Sequence, residues 1–340
     1  MDRHLPPPPH RMHLKIRRDY LALAALLLVS LLFALGIRAL SGVRSSVRQV
    51  RSSQLDVCPA VRTLLSDDEV TRIETATAWF IGNLSRSVRA VYDSNTYSSF
   101  VPPSTEGTIY DELQNPKEPG LHFANYFETF RPAIATVATC NDDRVILGSG
   151  DGAKNICRWM LPILNAPSCN IYSLGSNNDF SFENSCAQAT TCSVHTFDCT
   201  IGRNQERIHE RLYFYPWCID VRDHRDGSRD FFRIGTLMTK LGHKRIDYLK
   251  MDIEAFEHDI FNSWKASDEL PSILSFELHT TSPPIPKVYR RLTVGEISLE
   301  MLHLYYLGFR TVSAEKAGGG VEVTMFRLMC PTLTIHDGQW

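Results

Sequence analysis

The chain has 340 residues, 43% hydrophobic and 22% charged, with a formal net charge of −2. That is the composition of a folded globular protein, long enough for one large domain or two small ones. The near-zero charge provides no global basic field, so no nucleic-acid partner is expected.

The first element is the apolar run from Leu21 to Ile37, bounded by Asp19 and Arg38. It is rich in Leu and Ala, uncharged, and at the short end for a membrane span. Five basic residues precede it (Arg3, Arg11, Lys15, Arg17, Arg18) and four follow (Arg38, Arg44, Arg48, Arg51). That bias favours a cytosolic N-terminus only weakly. The n-region is long for a cleaved signal peptide and contains Pro6 to Pro9, so an uncleaved type II signal anchor is preferred. A run apolar on every face argues against a buried core helix. Residues 1–20 are expected to be a cytosolic tail and 38–139 a stem followed by helical and loop segments.

Nine cysteines, with no C-x-x-C pair, favour disulfides in an oxidising compartment over a zinc ribbon. Nine is odd, so one thiol is free or pairs between chains. The sequon Asn83-Leu84-Ser85 agrees with lumenal exposure. A short span fits the endoplasmic reticulum or Golgi better than the plasma membrane.

Ser66, with Glu69 three residues on, reads as a helix start, followed by an apolar-periodic stretch through Phe80 and Leu84. Residues 94–120 read as a loop. From about 140 to 340 a catalytic domain is expected, built from short apolar runs separated by polar or helical stretches. Arg144 to Gly148 is a strand or an ordered lead-in. Strands are expected at Asn170–Leu174, Ser193–Phe197, Arg211–Ile219, Ile246–Ile253 and Ile273–Leu278. Helices are expected at Phe182–Ala189, Phe232–Leu241, Glu257–Trp264 and Val294–Leu307. Phe309–Ala314 and Val321–Leu328 are expected to form a closing antiparallel hairpin around Gly318-Gly319-Gly320. Strands alternating with helices indicate a parallel α/β sheet with right-handed crossovers, made mixed by that hairpin.

The chemistry is expected at the strand ends. Gly175 allows a tight turn and close backbone approach after the first core strand. Ser176, Asn177, Asn178 and Asp179 continue a turn whose N–H groups would face a bound anion or carboxylate. The turn alone reads as a plain strand-to-helix connection, because a full G-x-G-x-x-G is absent. Asp198 changes that balance. It ends the second strand, where a carboxylate can accept both ribose hydroxyls of an adenosine. Asp220 follows the aromatic strand and could reach an adenine, or be a turn residue. Asp252, Glu254 and Glu257 cluster after the fourth strand. They could orient an acceptor, act as base or bind a divalent cation, although Glu257 also suits a helix N-terminus. Glu277 and His279 alternate at the end of the fifth strand and share one face. They could be acid and base, second shell to a metal, or an ordinary hydrogen-bonded pair.

At these residues the chain resembles S-adenosylmethionine-dependent methyltransferases, specifically the methyltransferase-like secretory proteins related to the FkbM group. The resemblance covers roughly residues 140–330. It rests on Gly150-Asp151-Gly152-Ala153-Lys154, Tyr172-Ser173-Leu174-Gly175-Ser176, Asp179-Phe180-Ser181-Phe182-Glu183, His195-Thr196-Phe197-Asp198 and Leu249-Lys250-Met251-Asp252-Ile253-Glu254. It implies a Rossmann-like seven-stranded mixed sheet with helices on both faces, with Gly175 and Asp198 contacting S-adenosylmethionine. The FkbM pattern places Gly after Asp-x-Glu, where this chain has Ala255. Asp252, Glu254 and His279 are the candidates for aligning an acceptor and removing its proton. O-methyl transfer to a glycan or secreted polypeptide is the working expectation. A type II lumenal glycosyltransferase using a divalent cation at Asp252-Ile253-Glu254, or a non-catalytic module on the same fold, are the rivals.

Overall fold

A computed structural model describes residues 55–93, 134–138, 140, 143–279, 294–316 and 320–331. The anchor expected at Leu21 to Ile37 and the loop expected over 94–120 lie outside them. Among the described residues no helix is long and apolar enough to cross a membrane. Asp56–Pro331 is one compact unit. The segment from Asp56 to Asp93 falls within that unit.

Helix α1, Asp67–Asp93, starts where the sequence indicated. Glu69 N–H donates to Ser66 Oγ at 3.3 Å, and Ser66 N–H donates to Glu69 Oε2 at 2.8 Å. This reciprocal pair satisfies two backbone donors that a helix start leaves open. Ile73, Thr77, Phe80 and Leu84 recur at helical spacing and are buried. The sequon lies inside this helix, with Asn83 half-buried and Leu84 in the core.

The main sheet has strands β1 Asn170–Leu174, β2 Ser193–Phe197, β3 Glu206–His209, β4 Leu212–Tyr215, β5 Tyr248–Met251, β6 Ile273–His279, β7 Phe309–Lys316 and β8 Gly320–Arg327. Their spatial order is β7-β8-β6-β5-β1-β2-β4-β3. β1, β2, β4, β5 and β6 run parallel. β8 is antiparallel to β6 and β7, so the late hairpin closes the sheet as expected. The sheet has eight strands rather than seven, because β3 pairs antiparallel with β4 and adds an edge. The crossover helices are α2 Ser181–Ala189, α3 Ile234–Leu241, α4 Glu257–Ser263 and α5 Val294–Tyr306.

Three expected elements change in detail. Arg211–Ile219 is not one strand. Pro216 offers no N–H to a ladder. The main-sheet strand stops at Tyr215, and Cys218–Ile219 joins a separate three-stranded ribbon with His224–Asp226 and Arg229–Phe232. Phe232 pairs with Ile219 in that ribbon, so the helix expected from Phe232 begins at Ile234. Arg144–Leu147 is a strand, but it pairs with Lys154–Cys157 outside the main sheet.

Parallel strands covered on both faces read as near-continuous apolar runs. One face packs Tyr172, Leu174, Phe197, Leu249 and Met251 against side chains of α1, α3, α4 and α5. The opposite face changes character along the strands. Its first row, Leu212–Val194–Ile171–Tyr248–Ile273–Phe326, packs with Phe182 and Cys186 of α2. Two residues further on the row is Thr196–Ser173–Lys250–Ser275–Thr324, all buried. Two further still come Asp198, Gly175, Asp252, Glu277 and Glu322. Polarity on this face therefore rises toward the C-terminal strand ends, which fixes where the chemistry lies.

Candidate active site at the C-terminal strand ends

The hydroxyl row supports the carboxylate row above it. Tyr248 and Ser275 hydroxyls meet at 2.7 Å, and Ser275 meets Thr324 at 2.8 Å. Ser173 donates to Glu183 Oε1 at 2.5 Å. Burial pushes the Glu183 carboxyl up, and its Oε2 has no hydrogen-bond partner among the described residues. Lys250 Nζ donates to the Gly175 carbonyl and lies 3.7 Å from Asp252 Oδ2. Lys154 Nζ meets Glu322 Oε1 at 2.5 Å, with the lysine side chain only 1% exposed.

Gly175 has φ +76°, and a Cβ there would lie 1.8 Å from the Asp252 carbonyl oxygen. The glycine lets the exit of β1 cross the exit of β5. Its lack of a side chain is required by that backbone crossing. Asn177 and Asn178 follow with φ 44° and 63°, a region Asn tolerates better than most side chains.

Asp198 closes on this turn. Its Oδ2 accepts from Ser176 N–H at 3.0 Å and Asn177 N–H at 2.9 Å. Its Oδ1 accepts from Thr200 N–H at 2.8 Å and the Thr200 hydroxyl at 2.6 Å. Burial works against its ionisation, but the bonds from Thr200, Asn177 and Ser176 outweigh that and lower its pKa. The Ser176 and Asn177 N–H groups expected to face a ligand are thus held by Asp198. A carboxylate has about four lone-pair positions, and all are engaged. One donor, the hydroxyl of exposed Thr200, is of the same chemical type as a ribose hydroxyl.

Asp220 takes the turn role. Its Oδ1 accepts from Val221 N–H at 2.6 Å, and its Oδ2 lies 3.4 Å from His224 Nδ1 in the ribbon. Phe197, Tyr215 and Trp217 stack with centroids 5.2 and 4.9 Å apart, and Tyr215 belongs to the core. The Cys199–Cys218 disulfide ties the residue after Asp198 to the start of this ribbon.

The second half of the site lies beyond β5 and β6. Glu254 and Ala255 both have positive φ, 56° and 74°. This left-handed pair sends the Glu254 side chain outward, 86% exposed, with Oε2 3.6 Å from His279 Nε2. Glu257 does more than favour a helix N-terminus. It is fully buried, and its Oε1 lies 2.6 Å from His279 Nδ1 and accepts from His279 N–H at 3.3 Å. Glu277 Oε2 lies 3.9 Å from His279 Nε2. Burial works against charge on His279, but the Glu257 bond and the charges of Glu257, Glu277 and Glu254 outweigh it, raising its pKa to about 10. Asp252, Glu277 and His279 each offer a donor atom within 4.8 Å of the others.

Sequence reasoning missed the support beneath. His258 Nδ1 lies 2.8 Å from Glu300 Oε2, and its Nε2 lies 2.9 Å from the His279 carbonyl. Burial opposes charge on His258, and Glu300 overrides it, so its pKa rises. Lys250, set among the apolar residues of β5, belongs instead to the Gly175–Asp252 side of the site.

A doubly wound α/β sheet with its polar groups gathered at the C-terminal strand ends defines a class of enzyme that binds ligands outside those ends. The comparisons sharpen the class. A family model described as a methyltransferase domain matches residues 104–289. The chain belongs to that methyltransferase-domain family. It is 29% identical over 184 residues to the Rattus norvegicus protein named "Probable methyltransferase-like protein 24", covering 49% of each chain. It is 31% identical over 124 residues to the Homo sapiens protein of the same name, covering 34% of each. The chain thus spans about half or less of the length of these curated relatives. The solved antibiotic-resistance methyltransferase Kmr aligns with 54% of this chain and 100% of its own, at 12% identity and a TM-score of 0.30. A score that low adds nothing to the family assignment.

Proposed function

We propose that this chain is an S-adenosylmethionine-dependent methyltransferase that transfers a methyl group to a hydroxyl of a glycan or secreted polypeptide. The reading includes the finer relation to the FkbM group. The observation that carries it is Asp198, placed at the end of β2 with a hydroxyl already on its outer oxygen. The family assignment and the C-terminal strand-end site support the same cofactor.

S-adenosylmethionine supplies an activated methyl group on a sulfonium. The chain's own residues do the rest. Asp198 accepts ribose hydroxyls in place of Thr200 while its other oxygen keeps the Ser176–Asn177 turn in shape. Asp252, partly exposed beside Glu277, and Glu254, at the rim, are the carboxylates available to take an acceptor proton. His279, held by Glu257 at Nδ1, presents Nε2 beside Glu254 and Glu277.

The disulfides are those of an oxidising environment. We extend this to a lumenal catalytic domain on a type II anchor at Leu21 to Ile37, in the endoplasmic reticulum or Golgi.

Calorimetry with S-adenosylmethionine tests the cofactor. Wild type is expected to bind, Asp198→Ala to lose about 10-fold or more in affinity, and Thr200→Val to bind as well as wild type or better. Absence of binding in folded wild type would sink the reading. Manganese-dependent binding of a nucleotide sugar in its place would favour the glycosyltransferase.

A further inference from the structure

We propose that Asp252, Glu277 and His279 form a site for one divalent metal cation, with Glu257 as the carboxylate that fixes the imidazole. The three donors come from adjacent strand ends. Asp252 follows β5 directly, and Glu277 and His279 share one face of β6. Their donor atoms all lie within 4.8 Å of one another. Ligands about 2.1 Å from a metal sit roughly 3 Å apart when adjacent and about 4.2 Å apart when opposite. The cluster needs only small side-chain adjustment to reach that spacing.

The histidine is arranged as a ligand. Its Nδ1 is taken by Glu257 Oε1 at 2.6 Å, which leaves Nε2 as the atom facing the carboxylates. The Glu277 oxygen among them stands 3.9 Å from Nε2, and the rim carboxylate of Glu254 stands 3.6 Å from it, both beyond hydrogen-bonding distance. A metal-bound imidazole commonly gives its other nitrogen to a carboxylate in this way. A second and separate observation concerns Glu257 itself. It is fully buried, and its Oε2 has no hydrogen-bond partner among the described residues. Burying a carboxylate is costly unless opposite charge is close. A cation held by Asp252, Glu277 and His279 would add positive charge on the far side of the imidazole from Glu257. Lys250 stands on the Asp252 side of the cluster, 3.7 Å from Oδ2, and donates to the Gly175 carbonyl.

The donor set names the class of metal. Two carboxylates and one imidazole suit manganese, zinc or ferrous iron better than magnesium or calcium, which favour all-oxygen sites. Three protein ligands leave open positions for water or substrate oxygen. The site stands independently of the cofactor proposed above.

The test uses chelator-treated full-length chain titrated with Mn2+ alone, following loss of the free aquo-ion resonance by electron paramagnetic resonance. One Mn2+ per chain is expected. Glu277→Gln and His279→Gln are each expected to weaken it about 10-fold or more, and Glu257→Gln by about 10- to 100-fold. Glu254→Gln is expected to stay within about 2-fold, because Glu254 is not among the donors. Thermal unfolding on the same samples separates site loss from misfolding. Mn2+ should raise the Tm of wild type and Glu254→Gln but not of the folded Glu277→Gln. No binding to folded wild type at millimolar Mn2+, or binding unchanged by both Glu277→Gln and His279→Gln, overturns the proposal. S-adenosylmethionine titrated into the same preparations reports on the cofactor reading separately.

Discussion

Ala255 occupies a left-handed position that costs an L-residue roughly 1–2 kcal/mol relative to glycine. The turn forms because its neighbours over-determine it. Ala255 is 2% exposed, and Asp252 N–H and Phe256 N–H both keep their backbone partners. Ala255→Gly is expected to stabilise the fold by about 0.5–1 kcal/mol, part of the relief being offset by the freer unfolded chain. Chemical denaturation would read this as a higher midpoint at unchanged slope.

His195 gives the clearest pH signature. Burial first, and His243 second, push its pKa down to about 3 from 6.5. Its Nε2 is buried without a hydrogen-bond partner among the described residues. Between those pH values the unfolded chain binds a proton that the folded chain does not. This contribution is therefore fully present above pH 6.5 and is lost as pH falls from 6.5 toward 3. The slope is at most about 1.4 kcal/mol per pH unit. His195→Phe should make the stability curve flatter over that window. An unchanged slope would mean that the ring is hydrated in solution.

At the level of elements, α1 shows how a local signal becomes a tertiary anchor. The Ser66–Glu69 reciprocal bonds fix its start. Glu74 then accepts from buried Arg310 of β7 at 2.7 Å. Ser66→Ala is expected to cost about 1 kcal/mol, measured by thermal or denaturant unfolding. The ribbon after β4 teaches the opposite lesson. Aromatic residues and Ile219 across Arg211–Ile219 suit a strand, but Pro216 removes a ladder donor and the chain changes sheets there. Propensity indicated strand correctly and could not indicate which sheet.

For the whole molecule, four disulfides hold the described unit, and Cys186 is left as a buried free thiol. Cys58–Cys330 spans a sequence separation of 272 and ties the start of the unit to its end. Cys140–Cys157 and Cys169–Cys192 brace the lead-in and the entry to β1 and β2. Replacing Cys58 and Cys330 together by Ser is expected to lower stability by about 2–5 kcal/mol. Non-reducing thermal unfolding reads that loss as a lower Tm.

The sequence by itself determined the alternation of strands and helices, the closing hairpin, the odd thiol and the carboxylates at strand ends. These follow from local periodicity and from counting, and each is written in consecutive residues. Only the tertiary structure decided what those residues do. Glu257 reads locally as a helix-terminal acid, yet it meets His279, 22 residues away. Asp198 reads as a ribose ligand, yet it also secures the turn after β1. Lys154 finds Glu322 across 168 positions. Such pairings depend on strand order and register, which are set by the packing of the whole sheet. A side chain's partner, and so its charge and its role, is a long-range property that no local pattern contains.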